Sequence, residues 1–555
     1  MKIKFLALAM IAMLFTACKP DPQPEGGEGS GTNNGNAENS YIAISIAADN
    51  MDRDFDDGSE IFEDGLADEN AVKSVNVFFF RNGDSFIINE AIGKNFQEFT
   101  FGPENPTNNN IEEISNSVLV INKHQGELPN QMVVVLNWTP NKDTYTLAEL
   151  QAALTNHINN IDGDGKNYFV MSNAVYKDAA GDVYATPLAI TDFKETATVA
   201  KDNPVQVYVE RVAAKVRVKT TGDIDDDQDP ANDGHTFKLL NAEGGEYKVK
   251  VEGVETPVTV YAQITGWELY NDYQESYLLK NIEGLPAYND EFNGFWWNSP
   301  SNHRSYWANS HTGLTEDLNY TTIPEYPNQK YCGENTNNPL NGDGVNKTLR
   351  TQVVLKAELQ QENGQAIEIA RWHGNDYIGE ENLIIAVTNT LVNTYYTRTE
   401  DGENSTPEKP VYIYNPITTN DLKTVVGSTL GEKEYEVYIQ LKDDTKTWYK
   451  RNGSAFEEIN YDLNNELKGI IGEALLYEGG KTYYFTDIKH LGNTYGVVRN
   501  HIYDIDINSI TGLGTPVVSG NPVIDTPEVP EDNATYVAAQ INILSWRLIT
   551  NNVDL

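Results

Sequence analysis

The sequence predicts a mainly β protein built from β-sandwich domains. Short stretches of alternating apolar and polar residues recur along most of the chain, polar turn-rich segments separate them, and only one stretch carries a convincing helix pattern. At 555 residues the chain is too long for one core, so two or more domains are expected. The 31 tyrosines exclude a disordered acidic chain. The formal net charge of −42 repels nucleic acid and anionic membrane surfaces, so no nucleic-acid partner is expected.

The N-terminus is an export signal. Lys2 and Lys4 precede an apolar run from Phe5 to Phe15, which is too short to span a bilayer. The run ends in Leu14-Phe-Thr-Ala-Cys18, which resembles a bacterial lipobox, and lipid on Cys18 would anchor the chain to a membrane. The alternative is an ordinary secretory signal followed by an incidental cysteine. Cys332 is the only other cysteine, so a lipidated Cys18 leaves no internal disulfide and makes Cys332 a partly buried free thiol. Residues 19–40, rich in Pro, Gly and Asn, form a flexible tether.

The first strand is expected over Tyr41 to Ala48, where Ile42, Ile44 and Ile46 alternate with small residues. An acidic loop follows, and Arg53 is the only basic residue between Lys19 and Lys73. Such a residue in an open loop is either a site for a trypsin-like protease or a solvated charge. Further strands are expected at Ser74 to Phe80, Ser85 to Asn89, Ser117 to Ile121, Gln131 to Asn137, Tyr168 to Met171, Val205 to Val209 and Ala213 to Val218. The one helix is expected from Thr146, where Thr146 and Glu149 make a capping box and Leu147, Leu150 and Leu154 share a face.

Residues 221–235 are acidic and turn-rich and mark a domain boundary. Beyond it, strands are expected at Tyr247 to Val251, Thr256 to Trp267, Tyr435 to Leu441, Lys481 to Phe485 and Val497 to Ile507. Thr351 to Leu359 and Ile367 to Arg371 are expected to pair as a hairpin across Asn363-Gly364. Residues 285–345 show little periodicity and predict long surface loops.

The terminal stretch is again a strand: Val537, Ala539, Ile541 and Ile543 alternate with Ala538, Gln540, Asn542 and Leu544. Three prolines between Asn521 and Asn533 make the segment before it a stiff connector. This strand either returns to its own domain or completes a sheet of another molecule by strand addition.

The chain has no HExxH, no Walker loop and no nucleophile elbow. Asn160-Ile-Asp-Gly-Asp-Gly copies half of a calcium loop, but Met171 stands where the closing Glu belongs. The run Asp223 to Asp233 reads as a solvated acidic loop that could hold calcium only weakly. No cofactor, no metal and no enzymatic activity are expected. Phe295-Trp296-Trp297, Trp307 and Trp372 either form a sugar-stacking platform, as in a surface glycan-binding lipoprotein, or cover the core under long loops.

Lys481-Thr-Tyr-Tyr-Phe485 and Gly496-Val-Val-Arg-Asn-His-Ile-Tyr-Asp-Ile-Asp-Ile-Asn-Ser-Ile-Thr-Gly-Leu-Gly-Thr-Pro516 resemble the C-terminal signature of the fimbrillin family of type V pili. The likeness is greatest to major subunits of short fimbriae. Val209-Glu-Arg-Val-Ala-Ala-Lys-Val-Arg-Val218 resembles the strand that closes that family's first domain, and Tyr331-Cys-Gly-Glu-Asn-Thr336 resembles another family segment.

The resemblance implies two transthyretin-like β-sandwich domains with long loops and few short helices. It implies export as an outer-membrane lipoprotein, with a signal peptide over 1–18 lipidated at Cys18. A propeptide over 19–53 would then be removed at Arg53 by an Arg-specific protease, although Asp52 and Asp54 beside it slow such cleavage. The remaining divisions are an N-terminal domain over 54–221, a C-terminal domain over 222–520, and a connector with donor strand over 521–555. The resemblance also implies that the groove left by the first strand accepts the terminal strand of another subunit, seated by Val537, Ala539, Ile541 and Ile543. Expected partners are copies of the chain, accessory pilus subunits, the maturation protease, and host or bacterial surface ligands. Alternatives are an anchor subunit, which keeps its lipid, or a tip subunit, which lacks a free donor strand.

Overall fold

A computed structural model describes residues 39–47, 62–63, 65–66, 68–88, 92–100, 113–122, 127–159, 166–220, 235–249, 257–273, 275–285, 297–300, 303–311, 325, 328–340, 349–433, 435–490, 494–517 and 536–546. The chain is mainly β with four short helices among these residues. Asn39–Leu555 groups as one unit, and of the expected boundary at 221–235 only His235 is described.

The first large sheet runs in the order Asp84–Ser85, Ser74–Arg81, Gln131–Leu136, Met171–Asn173, Val205–Arg211, Asn39–Ala47, Glu113–Asn122. Its central strands are buried on both faces. Val75, Val77, Phe79, Met132, Val134 and Leu136 enter one apolar cluster, while Phe78, Phe80, Val133 and Val135 enter another. Burial on both faces is why these strands are near-continuous apolar runs and not alternating ones.

Two five-stranded sheets share the next core. One orders Phe62–Glu63, Tyr536–Trp546, His501–Thr511, Ala214–Thr220 and Lys330–Cys332; the other orders Thr236–Lys238, Tyr261–Tyr270, Gln352–Gln360, Lys481–Asp487 and Thr515–Pro516. Val216, Tyr503, Ile505 and Ile507 from the first meet Trp267, Val353, Leu355 and Tyr484 from the second. Cys332 is fully buried here, not partly, and burial pushes its thiol pKa well up, so it is an inert packing group.

Between Gln352–Gln360 and Lys481–Asp487, which pair directly, the chain leaves the sheet and builds a third core. A five-stranded sheet ordered Asn375–Ile378, Ile369–Trp372, Ala474–Tyr477, Glu436–Leu441, Leu422–Val426 packs there against helices Gly379–Leu391 and Leu463–Ile471. This third core corrects the expected hairpin. A tight turn does form, with Gly364 at φ 76° and the Ile367 amide donating to Leu359 O at 2.8 Å, but the strands then part. Ile369–Trp372 pairs instead with Asn375–Ile378 and Ala474–Tyr477.

Other expectations shift more modestly. Ser85 to Asn89 contributes only the two-residue strand Asp84–Ser85, although Phe86 and Ile88 are core. The capping box forms, but its helix stops at Ala152, leaving Leu154 exposed in the strand Leu154–Asn156. Val497 to Ile507 becomes His501–Thr511, because Asn500 at φ 58° turns the chain just before it.

The signature around Arg499 locks the first sheet to the second core. Arg499 pairs with Glu334 at 2.5 Å, both essentially unexposed, and donates to the carbonyls of Tyr277 and Leu278 at 2.5 and 3.1 Å. Ser172 of the first sheet donates to the same Leu278 carbonyl at 2.6 Å. Lys280 pairs with Glu210 at 2.7 Å, with neither side chain exposed. Arg211 reaches Asn500 Oδ1 at 3.2 Å.

Two buried histidines complete this lock. The Tyr503 hydroxyl accepts from the Val498 amide at 2.9 Å and lies 2.8 Å from His490 Nδ1; His490 Nε2 lies 2.8 Å from Tyr306 O. The Tyr306 carbonyl can only accept, so Nε2 carries the proton and Nδ1 accepts from Tyr503. Burial pushes the His490 pKa down to about 3 and holds His501 well below the ordinary histidine value. The unfolded chain takes up protons below about pH 6.5 while the folded chain does not. Stability is therefore expected to be flat in this respect above pH 6.5 and to fall by about 1.4 kcal/mol per pH unit per histidine below it. Urea unfolding midpoints between pH 8 and pH 5 check this, and His490→Gln should remove one histidine's share of the slope.

Candidate strand-exchange site

The first strand, Asn39–Ala47, is an internal strand of its sheet. It pairs antiparallel with Glu113–Asn122 from Asn39↔Asn122 to Ala47↔Glu113, with a register shift between Ile44 and Ile46. On its other edge it pairs parallel with Val205–Arg211, from Ile44↔Val205 to Ala47↔Tyr208. Ile42 is 0% exposed and belongs to the same apolar cluster as Val75, Val207, Val209 and Ile502. A strand held this way comes away only by breaking two ladders and opening a core.

The order of the sheet has a further consequence. Among the described residues Glu113–Asn122 pairs with no strand other than Asn39–Ala47. The edge Val205–Arg211, by contrast, is fixed on its far side by Met171–Asn173 and through Glu210 and Arg211 by the buried lock. A groove left by the first strand would thus have one rigid wall and one wall that, among the described residues, has a ladder only to its occupant.

The terminal strand, Tyr536–Trp546, pairs antiparallel with His501–Thr511, from Thr511↔Tyr536 to His501↔Ser545. In this register Ala539, Ile541 and Ile543 stand opposite Ile507, Ile505 and Tyr503. Its other edge meets Phe62–Glu63 in parallel, at Phe62↔Ser545 and Glu63↔Trp546. In the single chain the terminal strand therefore lies on its own sheet. The segment that clasps it outside comes shortly after Arg53 in sequence.

Cys18 and Arg53 lie outside the described residues, as do the half-calcium loop Asn160 to Gly165 and the acidic run Asp223 to Asp233. Val537, Ala539, Ile541 and Ile543 are placed on the ladder to His501–Thr511. Trp296 is not described, but Trp297, Trp307 and Trp372 are 1%, 7% and 7% exposed. The Trp372 ring N–H donates to Ile471 O at 2.8 Å. These three rings are core and offer no open stacking face. Sequence reasoning missed that Glu113–Asn122 pairs, among the described residues, only with the first strand, because strand order is a non-local property that no local pattern carries.

Residues 476–552 match the family described as major fimbrial subunit protein type IV, fimbrillin, C-terminal. Comparison with curated proteins finds no match. Solved structures similar to the chain include a fimbrilin from Porphyromonas gingivalis W83, at 11% identity and TM-score 0.36, covering 92% of this chain and 98% of that one. A C-terminally truncated tip fimbrial protein from Porphyromonas gingivalis aligns at 10% identity and TM-score 0.28, covering 92% and 100%. A putative cell adhesion protein from Parabacteroides distasonis aligns at 11% identity and TM-score 0.33, covering 91% and 97%. The family match covers strands Lys481–Asp487 and His501–Thr511, the buried lock at Arg499 to His501, and the terminal strand. On these residues the chain matches the C-terminal region of the fimbrillin family.

Proposed function

We propose that the chain is the shaft subunit of a bacterial surface fimbria of the type V kind, assembled by strand exchange and supporting adhesion. The observation that carries this reading is the placement of Asn39–Ala47 between two strands of one sheet, at the end of a tether. Removing it empties a strand-shaped, partly apolar slot, and the chain carries a second alternating strand at its far end that can fill such a slot in a neighbouring copy. In this reading the precursor is an outer-membrane lipoprotein held by Cys18. An Arg-specific protease cuts after Arg53, and accessory subunits begin and end the polymer. The protein is structural and not catalytic.

Exchange trades one ladder for another. The terminal strand leaves His501–Thr511 and re-forms comparable backbone bonds in the next subunit, so hydrogen bonds, about 0.5–1.5 kcal/mol each net, nearly cancel. The drive is the refilling of the core around the Ile42 position, since one fully buried isoleucine contributes about 1.5–3 kcal/mol. Before cleavage that position is occupied, which keeps the precursor monomeric.

Limited trypsin treatment of the folded precursor is expected to cut first after Arg53, give a chain beginning at Asp54, and start filament growth visible by electron microscopy. A cut product that releases the first strand yet stays monomeric at high concentration overturns the shaft reading. Cys18→Ala should abolish fatty-acid labelling and detergent partitioning of the precursor. The buried Trp297, Trp307 and Trp372 weigh against a glycan-binding lipoprotein. The terminal strand after Pro530 and the lone Arg53 weigh against a tip or an anchor subunit.

A further inference from the structure

We propose that the cleaved, unpolymerised subunit closes its own groove: strand Glu113–Asn122 moves one strand inward and pairs with the vacated edge of Val205–Arg211. The inference rests on the strand-exchange reading above and adds a resting state to it. Polarity permits the move. Glu113–Asn122 runs antiparallel to the first strand and the first strand runs parallel to Val205–Arg211, so the two flanking strands are already antiparallel to each other.

Distance and register permit it as well. Neighbouring strands lie about 4.8 Å apart, so closure is a shift of one such spacing. Ser117 and Val205 are both register partners of Ile44, Ile114 and Val207 are both partners of Ile46, and Glu113 and Tyr208 are both partners of Ala47. A sideways shift would therefore bring these pairs together without sliding along the strands. Leu119 is the register partner of Ile42. The shift thus brings position 119 to the register position that Ile42 leaves.

Necessity supplies the rest. Without the first strand, Val205–Arg211 and Glu113–Asn122 would each present unpaired backbone, which is an invitation to wrong pairing. Among the described residues no other strand competes for Glu113–Asn122. The short helix Ala197–Lys201 lies beside both it and the first strand, which leaves it close to the gap. An incoming donor strand then displaces a weak internal partner instead of entering an open slot, so growth is limited by opening and stray edges stay covered.

The test uses Ser117→Cys with Val205→Cys in a Cys18→Ala precursor, where the native Cys332 is buried. With the first strand in place the two positions are about two strand spacings apart, beyond disulfide reach, since bridged Cα atoms lie about 4.4–6.8 Å apart. No bridge is expected in the precursor. After trypsin and release of the first strand, dilute subunits should form the intramolecular bridge under mild oxidation. The bridged subunit should then refuse an added peptide of residues 534–555 until reductant is supplied. Release of the first strand and peptide binding without any bridge overturns closure alone. A bridge in subunits whose wild-type counterparts never polymerise supports closure and overturns the strand-exchange reading instead.

Discussion

Deleting residues 536–555 is expected to leave a folded, cleavable subunit that forms no filaments and that ends the filaments of the intact chain. The terminal strand lies outermost but for the two residues of Phe62–Glu63, so its loss costs one ladder to His501–Thr511. Ile505, Ile507 and Ile510 stay covered by the facing sheet, whose Trp267, Val353, Leu355 and Tyr484 belong to the same cluster. The truncated chain keeps its own acceptor, so it can receive a strand but cannot donate one. Mixed with intact subunits at an equal ratio it should shorten filaments several-fold.

Ile541→Asp should act similarly, because an unpaired charge carried into an apolar groove costs several kcal/mol, more than one buried isoleucine contributes. Filament length by electron microscopy and urea unfolding of the truncated subunit are the two readouts. Unfolding on truncation, with the intact cleaved chain remaining a monomer, would show that the strand serves only its own sheet.

The two strands behind this prediction were legible in the sequence for a common reason. Ile42, Ile44 and Ile46, and likewise Val537, Ala539, Ile541 and Ile543, alternate at period two and sit beside long polar or Pro-rich segments that cannot hide them. The strands at Ser74–Arg81 and Gln131–Leu136 were legible from β-branched and aromatic density alone. The partners of a strand were not legible, because pairing is decided by topology: Ile367 to Arg371 looked like the return arm of a hairpin, and the strand that forms there, Ile369–Trp372, pairs in another sheet.

The third core was within reach of local reasoning. Leu383, Ala386, Val387 and Leu391 repeat at helical spacing in Gly379–Leu391, and Asp462 and Gly472 cap Leu463–Ile471. The buried lock was out of reach. Glu210, Lys280, Glu334 and Arg499 are far apart in sequence, and in a chain with 82 acidic residues no particular carboxylate stands out. The family signature around Arg499 was visible as a pattern, but its physical reason appears only once Arg499, Asn500 and His501 are seen buried between the first sheet and the second core.

That lock carries the last prediction. Lys280→Met is expected to destabilise the subunit by about 3–5 kcal/mol, because Glu210 would keep a buried charge with no counter-ion. Lys280 donates at 2.7 Å to both Glu210 Oε2 and Ser305 O, and the other Glu210 oxygen has no hydrogen-bond partner, so little remains to solvate the carboxylate. Glu210→Leu should be comparably damaging, since it strands Lys280. The double change Lys280→Met with Glu210→Leu should recover most of the loss, because replacing a buried pair with apolar side chains of similar size is often neutral. Urea unfolding of the three variants measures this, and a loss below about 1 kcal/mol for Lys280→Met would mean that water reaches the pair. The consequence extends to assembly. Glu210 lies on Val205–Arg211, the fixed wall of the groove, and Arg211 beside it is held by Asn500. Loosening that wall should slow the capture of a donor strand even in subunits that remain folded, so Lys280→Met should lengthen the lag before filaments appear while the double variant restores it.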